Sequence, residues 1–301
     1  MRRVGLNVAQ RILVTGGSGQ LAQALAEAGG ERVLVVGRPA FDFDRPETIA
    51  AVFRASHPWL VVNAAAYTAV DAAEKDEAAA LRANRDGPAE LARLCAETGV
   101  PLIHVSTDYV FDGSNPEPYV ETDRVSPQSV YGASKLAGEL GVQMAGARAI
   151  VIRTAWVYAA TGRNFVRTML ELAKTRDRLR VVADQIGCPT VADDLAAAIL
   201  AIADRIESGG WQSAYCGLLH VAGGGETTWH GLAEAVFVEA ARHGAKVPEA
   251  VEPIATSDYP TPAKRPANSR LNCARLEAVF GVTMPDWRDG VTRTVGRIFA
   301  A

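Results

Sequence analysis

Five short apolar runs constrain this 301-residue chain more than any other feature. They are Ile12-Leu13-Val14, Val33-Leu34-Val35-Val36, Leu60-Val61-Val62, Leu102-Ile103 and Ile150-Val151-Ile152. Each is unbroken rather than alternating, which is how a strand buried on both faces reads. Helical stretches separate them, over Gln20 to about Ala28, Pro46 to Ser56, about Glu77 to Gly99, and onward from Val130. Strand and helix in strict alternation predict an α/β fold with a parallel, doubly wound sheet. From about Ala155 the texture changes. Gly- and Pro-punctuated segments (Asp184–Thr190, Gly223–Thr228, Ser257–Arg270) alternate with helices near 164–175, 192–206, 229–243 and 273–280. We therefore expect two domains, 1–158 and a smaller mixed α/β unit at 159–301, with some later segments returning to the first.

The first strand runs into Gly16-Gly17-Ser18-Gly19-Gln20-Leu21-Ala22. Strand, glycine turn and helix in that order suit a dinucleotide. Gly16 permits the tight turn, Gly19 lets a pyrophosphate approach the backbone, and Ala22 lets helix and strand pack closely. The N–H groups opening the helix then face the phosphates. The second strand ends at Gly37-Arg38, where a carboxylate would be expected for a ribose 2′-hydroxyl. Arg38 could pair with a 2′-phosphate, so NADPH is the expected cofactor. NADH stays open, with Asp42 or Asp44 on the ribose. Ala64-Ala65-Ala66 leaves room for a ring at the end of the third strand.

The second chemical signal is Tyr131-Gly132-Ala133-Ser134-Lys135. On a helix, residues four apart share a face. A phenol with a reference pKa near ~10 is a poor proton donor at neutral pH, and an ammonium within ~4–6 Å lowers that value. Reaching about 7 would take roughly 4 kcal/mol. Tyrosine and lysine at this spacing occur on many helices, so the pair gains meaning from its company. His104, between apolar neighbours in a strand, reads as structural.

Charge and composition exclude several classes. The net charge is 31 − 34 = −3, giving no broad attraction to nucleic acid or anionic lipid. No apolar run approaches ~18 residues, so no membrane span is expected, and residues 1–10 hold two arginines but no signal-like apolar core. Cys95, Cys188, Cys216 and Cys273 are scattered, which suits reduced thiols and a cytoplasmic protein.

Gly-x-x-Gly-x-x-Ala, Ser106-Thr107-Asp108 and Tyr131-x-x-x-Lys135, in this order, resemble the extended short-chain dehydrogenase/reductases. Asn63 to Asp71, Ser106 to Gly113 and Arg153 to Tyr158 look like the dTDP-4-dehydrorhamnose reductase family. So do Asp184 to Thr190, Ala222 to Gly225 with Thr227 to His230, and Arg265 to Asn272. The likeness runs from about residue 11 to 299. It implies a Rossmann-like NADP(H)-binding domain and a smaller domain for a dTDP-sugar. It also implies reduction of the keto group of dTDP-6-deoxy-L-lyxo-4-hexulose to dTDP-L-rhamnose. By that likeness Tyr131 is the proton donor, Lys135 lowers its pKa and holds the nicotinamide ribose, and Thr107 polarises the carbonyl. Gln20, Leu21, Asp42, Phe43, Ala66 and Thr68 match cofactor positions. Asp108, Tyr109 and Trp156 fall near the sugar nucleotide, and Arg265 or Arg270 near its diphosphate.

Two departures stand out. Ala24 and Arg288 occupy positions where some members carry magnesium-binding glutamates at a dimer interface, so no such metal is expected and monomer or homodimer stays open. Gln128-Ser129 replaces a frequent Leu-Asn pair. Sugar-nucleotide dehydratases place Asp-Glu after the threonine, where this chain has Asp108-Tyr109, so elimination is not expected; another sugar-nucleotide 4-ketoreductase stays open. The regulatory subunit of methionine adenosyltransferase resembles the same family and acts through protein contacts. NADPH binding without oxidation would point to that class.

Overall fold

The structure, a computed structural model, describes residues 11–300. The arginine-bearing leader at residues 1–10 lies outside them. The chain begins β1 (Ile12–Thr15), α1 (Gln20–Gly29), β2 (Val33–Val36), α2 (Pro46–Ser56) and β3 (Leu60–Asn63). It continues α3 (Val70–Ala73), α4 (Glu77–Leu81), α5 (Gly87–Thr98), β4 (Leu102–Thr107), α6 (Val130–Met144) and β5 (Ala149–Thr154). These five strands join one parallel sheet, in which alternate residues of each strand enter different cores. Ile12 and Val14 face α1, whereas Leu13 packs with Phe53 of α2 and Leu91 of α5. Both faces are covered, and that is why the runs are apolar throughout.

The expected helix over 77–99 is present but interrupted. Between α4 and α5, residues Arg82–Asp86 form a single π turn. Such a bulge re-aims one side chain, here Asn84, which is fully buried. It bonds both backbone groups of Tyr67 and donates to the Ser134 hydroxyl at 2.9 Å. Helix α6 lies so close that a Cβ on Gly138 would sit 2.0 Å from the Asn84 carbonyl oxygen. Gly138→Ala is accordingly expected to cost about 1–3 kcal/mol, as over-packing does. Thermal unfolding checks this, and an unchanged midpoint would show that α6 has room to move.

Beyond β5 come β6 (Val157–Tyr158), α7 (Phe165–Ala173), β7 (Arg178–Val182), β8 (Ile186–Gly187) and β9 (Thr190–Val191). Then follow α8 (Ala192–Gly209), β10 (Gly217–His220), β11 (Thr227–Thr228), α9 (Trp229–Arg242), β12 (Ala250–Ile254) and β13 (Asn268–Ser269). Helices α10 (Ala274–Phe280) and α11 (Trp287–Ala300) end the chain. Two elements rejoin the first layer: β10 pairs parallel to β5, and α8 packs in the core shared with α1. The order is β10-β5-β4-β3-β1-β2, so the direction of winding reverses between β1 and β3. Ligands bind open α/β sheets at such a switch point, beyond the strands' C-terminal ends. Helices α7, α9 and α11 bury a separate core built on Val166, Phe237, Trp287 and Val291. Among the described residues no helix is long and apolar enough to cross a membrane.

Candidate active site

The glycine turn sits at the switch point. Gly16 and Gly17 have φ of +114° and +53°, conformations that side chains disfavour. A Cβ on Gly16 would lie 3.1 Å from the Ala64 backbone, and one on Gly37 would lie 2.6 Å from Gly17 Cα. The turn is thus bare of side chains, and Gly19, the cap of α1, supplies no side chain to the helix's first N–H groups. That cradle fits a pyrophosphate. Leu21 and Ala22 are buried behind it, and Asn164 donates to the Gln20 side chain at 2.8 Å. Ala64, Ala65 and Ala66 line the β3 side, half-buried, with Thr68 exposed beyond them.

At the end of β2, Arg38 is exposed and donates to Asp42 and to Asp44, each at 3.0 Å. Asp44 also accepts from Arg82 at 2.8 Å, and these guanidinium groups hold its carboxyl below the usual range. Phe43 is a core residue, pressed against Gly87 at the start of α5.

Thr107, Asp108 and Tyr109 stand at the tip of β4, and α6 brings Tyr131 to them. The start of α6 is fixed twice. Ser129 accepts the Gly132 N–H at 3.2 Å, and Glu74 accepts the Val130 N–H at 2.8 Å. Tyr131 is buried, edge-on to Tyr109 with ring centroids 5.5 Å apart, and its phenol lies beside the Thr107 hydroxyl. Burial, helped by the Asp108 charge, pushes its pKa up to about 12. The sequence led us to expect the opposite direction. The reason is geometric: the Lys135 ammonium donates to the Val105 carbonyl oxygen at 2.6 Å. Lys135 itself is lowered to about 8 by burial, opposed by the charge of Glu139 one turn along α6. At neutral pH the phenol therefore carries its proton, the form a donor needs.

On the far side, Trp156 adopts φ +49°, rare for a bulky residue. Its indole stacks on Trp229 with centroids 3.6 Å apart. Gly187 lies against it so closely that a Cβ there would be 2.5 Å from the ring. The two arginines differ in placement. Arg265 grips Asp71 with bonds of 3.0 and 2.8 Å and lies close enough to act on the Tyr109 phenol. Arg270 is held by Glu226 at 3.0 Å and by Asn268 at 2.9 Å.

Comparison with known proteins gives this geometry a context. The family model for the RmlD substrate binding domain matches residues 10–299. A dTDP-4-dehydrorhamnose reductase from Sinorhizobium fredii is 48% identical, covering 95% of this chain and 96% of its own. The chain belongs to the dTDP-4-dehydrorhamnose reductase family. A family member from Burkholderia thailandensis is 46% identical, covering 93% of this chain and 96% of its own. The crystal structure of the Bacillus anthracis dTDP-4-dehydrorhamnose reductase in complex with NADP superposes with a TM-score of 0.87 at 32% identity. It covers 96% of this chain and 99% of that one. The UDP-glucose 4-epimerase of Brucella ovis, at 20% identity and TM-score 0.76, shares the fold.

Several residues that shape the site in this reductase-family chain were not singled out from sequence. Glu74 and Asn84 fix α6, Asp71 engages Arg265, and Ser269 of β13 lies beside the Asp108 carboxyl. Glu139 and Arg153 form a buried pair at 2.7 Å beneath Lys135. Of these, Glu139 had a usable signal, since it lies four residues after Lys135 and eight after Tyr131 on one helical face. Ala24 is buried in α1, and the Arg288 guanidinium lies over the Trp287 ring at 4.6 Å. Ser129, where Leu-Asn is frequent, preserves a helix cap.

Proposed function

We propose that the chain reduces the 4-keto group of dTDP-6-deoxy-L-lyxo-4-hexulose to give dTDP-L-rhamnose, with NADPH as reductant. The observation that carries this reading is the convergence of Thr107, Tyr131 and Lys135 at one end of β4, on the sheet edge that also carries the glycine turn. The relatives' names and the NADP complex of the Bacillus anthracis protein support it.

NADPH, when bound, supplies the hydride. Gly16, Gly19, Gln20 and Leu21 would hold its pyrophosphate, Ala64, Ala65, Ala66 and Thr68 its ring systems, and Arg38 with Asp42 its adenosine ribose. Phe43 supports that end from the core. Tyr131 holds the proton that the carbonyl oxygen takes up. Thr107 bonds the same oxygen, where negative charge develops. Lys135 supplies the positive charge that favours the phenolate left behind. Asp108, Tyr109, Trp156, Arg265 and Arg270 line the sugar-nucleotide side. The corresponding division gives residues 1–158 to the cofactor and most of 159–301 to the sugar nucleotide, with α8 and β10 returning.

The test is loss of NADPH absorbance when the 4-keto sugar nucleotide is supplied, with dTDP-rhamnose identified as product. Folded protein that binds NADPH and leaves the absorbance flat would overturn the reading in favour of a binding module. Within the same assay, Arg38→Ala is expected to weaken NADPH by about tenfold, the scale of one charged hydrogen bond, and NADH far less. Equal losses would place the 2′-phosphate elsewhere.

A further inference from the structure

We propose that Asp108 is a positioning residue whose carboxyl decides which way the Thr107 hydroxyl donates, and so whether Thr107 can bond the substrate carbonyl. The proposal rests on the roles given above to Thr107 and Tyr131.

A threonine hydroxyl has one hydrogen and must choose a single acceptor. Here it donates to Asp108 Oδ1 at 2.9 Å, while Thr107 Oγ1 accepts the Tyr109 N–H at 3.3 Å. With that hydrogen committed to a carboxylate, Thr107 has only lone pairs to offer towards Tyr131 and anything beside it. A carbonyl oxygen gains nothing from lone pairs. If Asp108 carries a proton, the direction reverses: its O–H donates to Thr107 Oγ1 and the threonine hydrogen becomes free for the carbonyl. Asp108 makes no bond to the reacting atoms in this scheme and acts through Thr107.

The surroundings favour such a change. Asp108 is 2% exposed, and its Oδ2 is buried without a hydrogen-bond partner. An unpaired buried oxygen is costly on a carboxylate and suits a carboxylic acid. The groups facing it are the Thr107 hydroxyl, the Ser269 hydroxyl from β13, the Tyr109 and Tyr131 phenols, and the Cys188 thiol between β8 and β9. The Arg265 guanidinium reaches Tyr109 but is gripped by Asp71. Burial raises the Asp108 carboxyl to about 6, opposed by the nearby Ser269 and Thr107 hydroxyls. Tyr131, at about 12, titrates far above that range, and Lys135, at about 8, is the nearest other group.

The experiment is kcat against pH, over about pH 5 to 8 around that carboxyl value, for wild type, D108N and D108A. NADPH binding serves as the check that each variant is folded. Wild-type kcat is expected to fall as pH rises through the carboxyl's range, because the neutral form is the productive one. D108N, whose amide can donate to Thr107 at every pH, should lose that limb and give a kcat flat across this range, any change in sugar-nucleotide contact showing in KM. D108A should lose the limb and about tenfold in kcat, the scale of one hydrogen bond, with KM less affected. Infrared spectra supply a readout independent of turnover: a carboxylic-acid carbonyl band that titrates in the wild type and is missing in D108N. A D108N profile with the wild-type limb, or no such band, overturns the proposal. Those results in an enzyme that Tyr131→Phe inactivates sink the proposal alone, whereas an active Tyr131→Phe variant sinks the reading beneath it.

Discussion

Tyr131→Phe is expected to lower kcat by about 100-fold or more, the usual consequence of removing a positioned acid, while NADPH binding and stability stay near wild type. The substitution removes one oxygen and little else. The ring's edge-on contact with Tyr109 is kept, and the Ser134 hydroxyl bonds the backbone carbonyl of residue 131 rather than its side chain. What disappears is the phenol oxygen and its proton, next to the Thr107 hydroxyl. Because burial raises this phenol to about 12, it is fully protonated across neutral pH. Its own ionisation should leave no trace in the pH profile there. Turnover by NADPH absorbance and cofactor affinity by fluorescence titration separate the two effects. Wild-type turnover in this variant would remove Tyr131 from the chemistry.

The second large effect is one of stability. Arg153→Met should destabilise the fold by about 3–5 kcal/mol, the cost of stranding a buried charge. Arg153 and Glu139 are 2% and 1% exposed and joined by bonds of 2.9 and 2.7 Å. Glu139 also accepts the Ser106 hydroxyl at 2.5 Å, and Ser106 lies opposite Arg153 in the β4–β5 register. Removing the guanidinium leaves the carboxylate with Ser106 alone. The deficit should shrink as pH falls, since protonation cancels the unpaired charge, and Glu139→Gln in the same chain should restore much of it. Urea unfolding at two pH values measures both. A single variant as stable as wild type would mean that water reaches Glu139.

Much of the fold was written in the apolar runs. Unbroken runs such as Leu60-Val61-Val62 mark a sheet covered on both faces, and that is the observed burial. Gly217–His220 escaped because a strand of four residues ending in histidine has no periodicity to read. Helix α11 escaped for a related reason: Trp287, Val291 and Val295 face its core, but arginines and threonines fill the gaps between them. That Tyr131 and Lys135 lie together on the buried side of one helix was legible from their spacing. The direction of the Tyr131 shift was not, because desolvation and the Val105 carbonyl that engages Lys135 belong to the third dimension. Partners far apart in the chain, such as Asp71 with Arg265, leave no local pattern to recognise.

The late arrival of β10 has a consequence for biogenesis. On the ribosome, β1 to β5 emerge well before Gly217, so the flank of β5 has no neighbour until most of the polypeptide has been translated. A bare parallel edge of that kind invites sticking between nascent chains. Slow translation past residue 154, or truncation ahead of residue 217, should therefore favour inclusion bodies over folded enzyme.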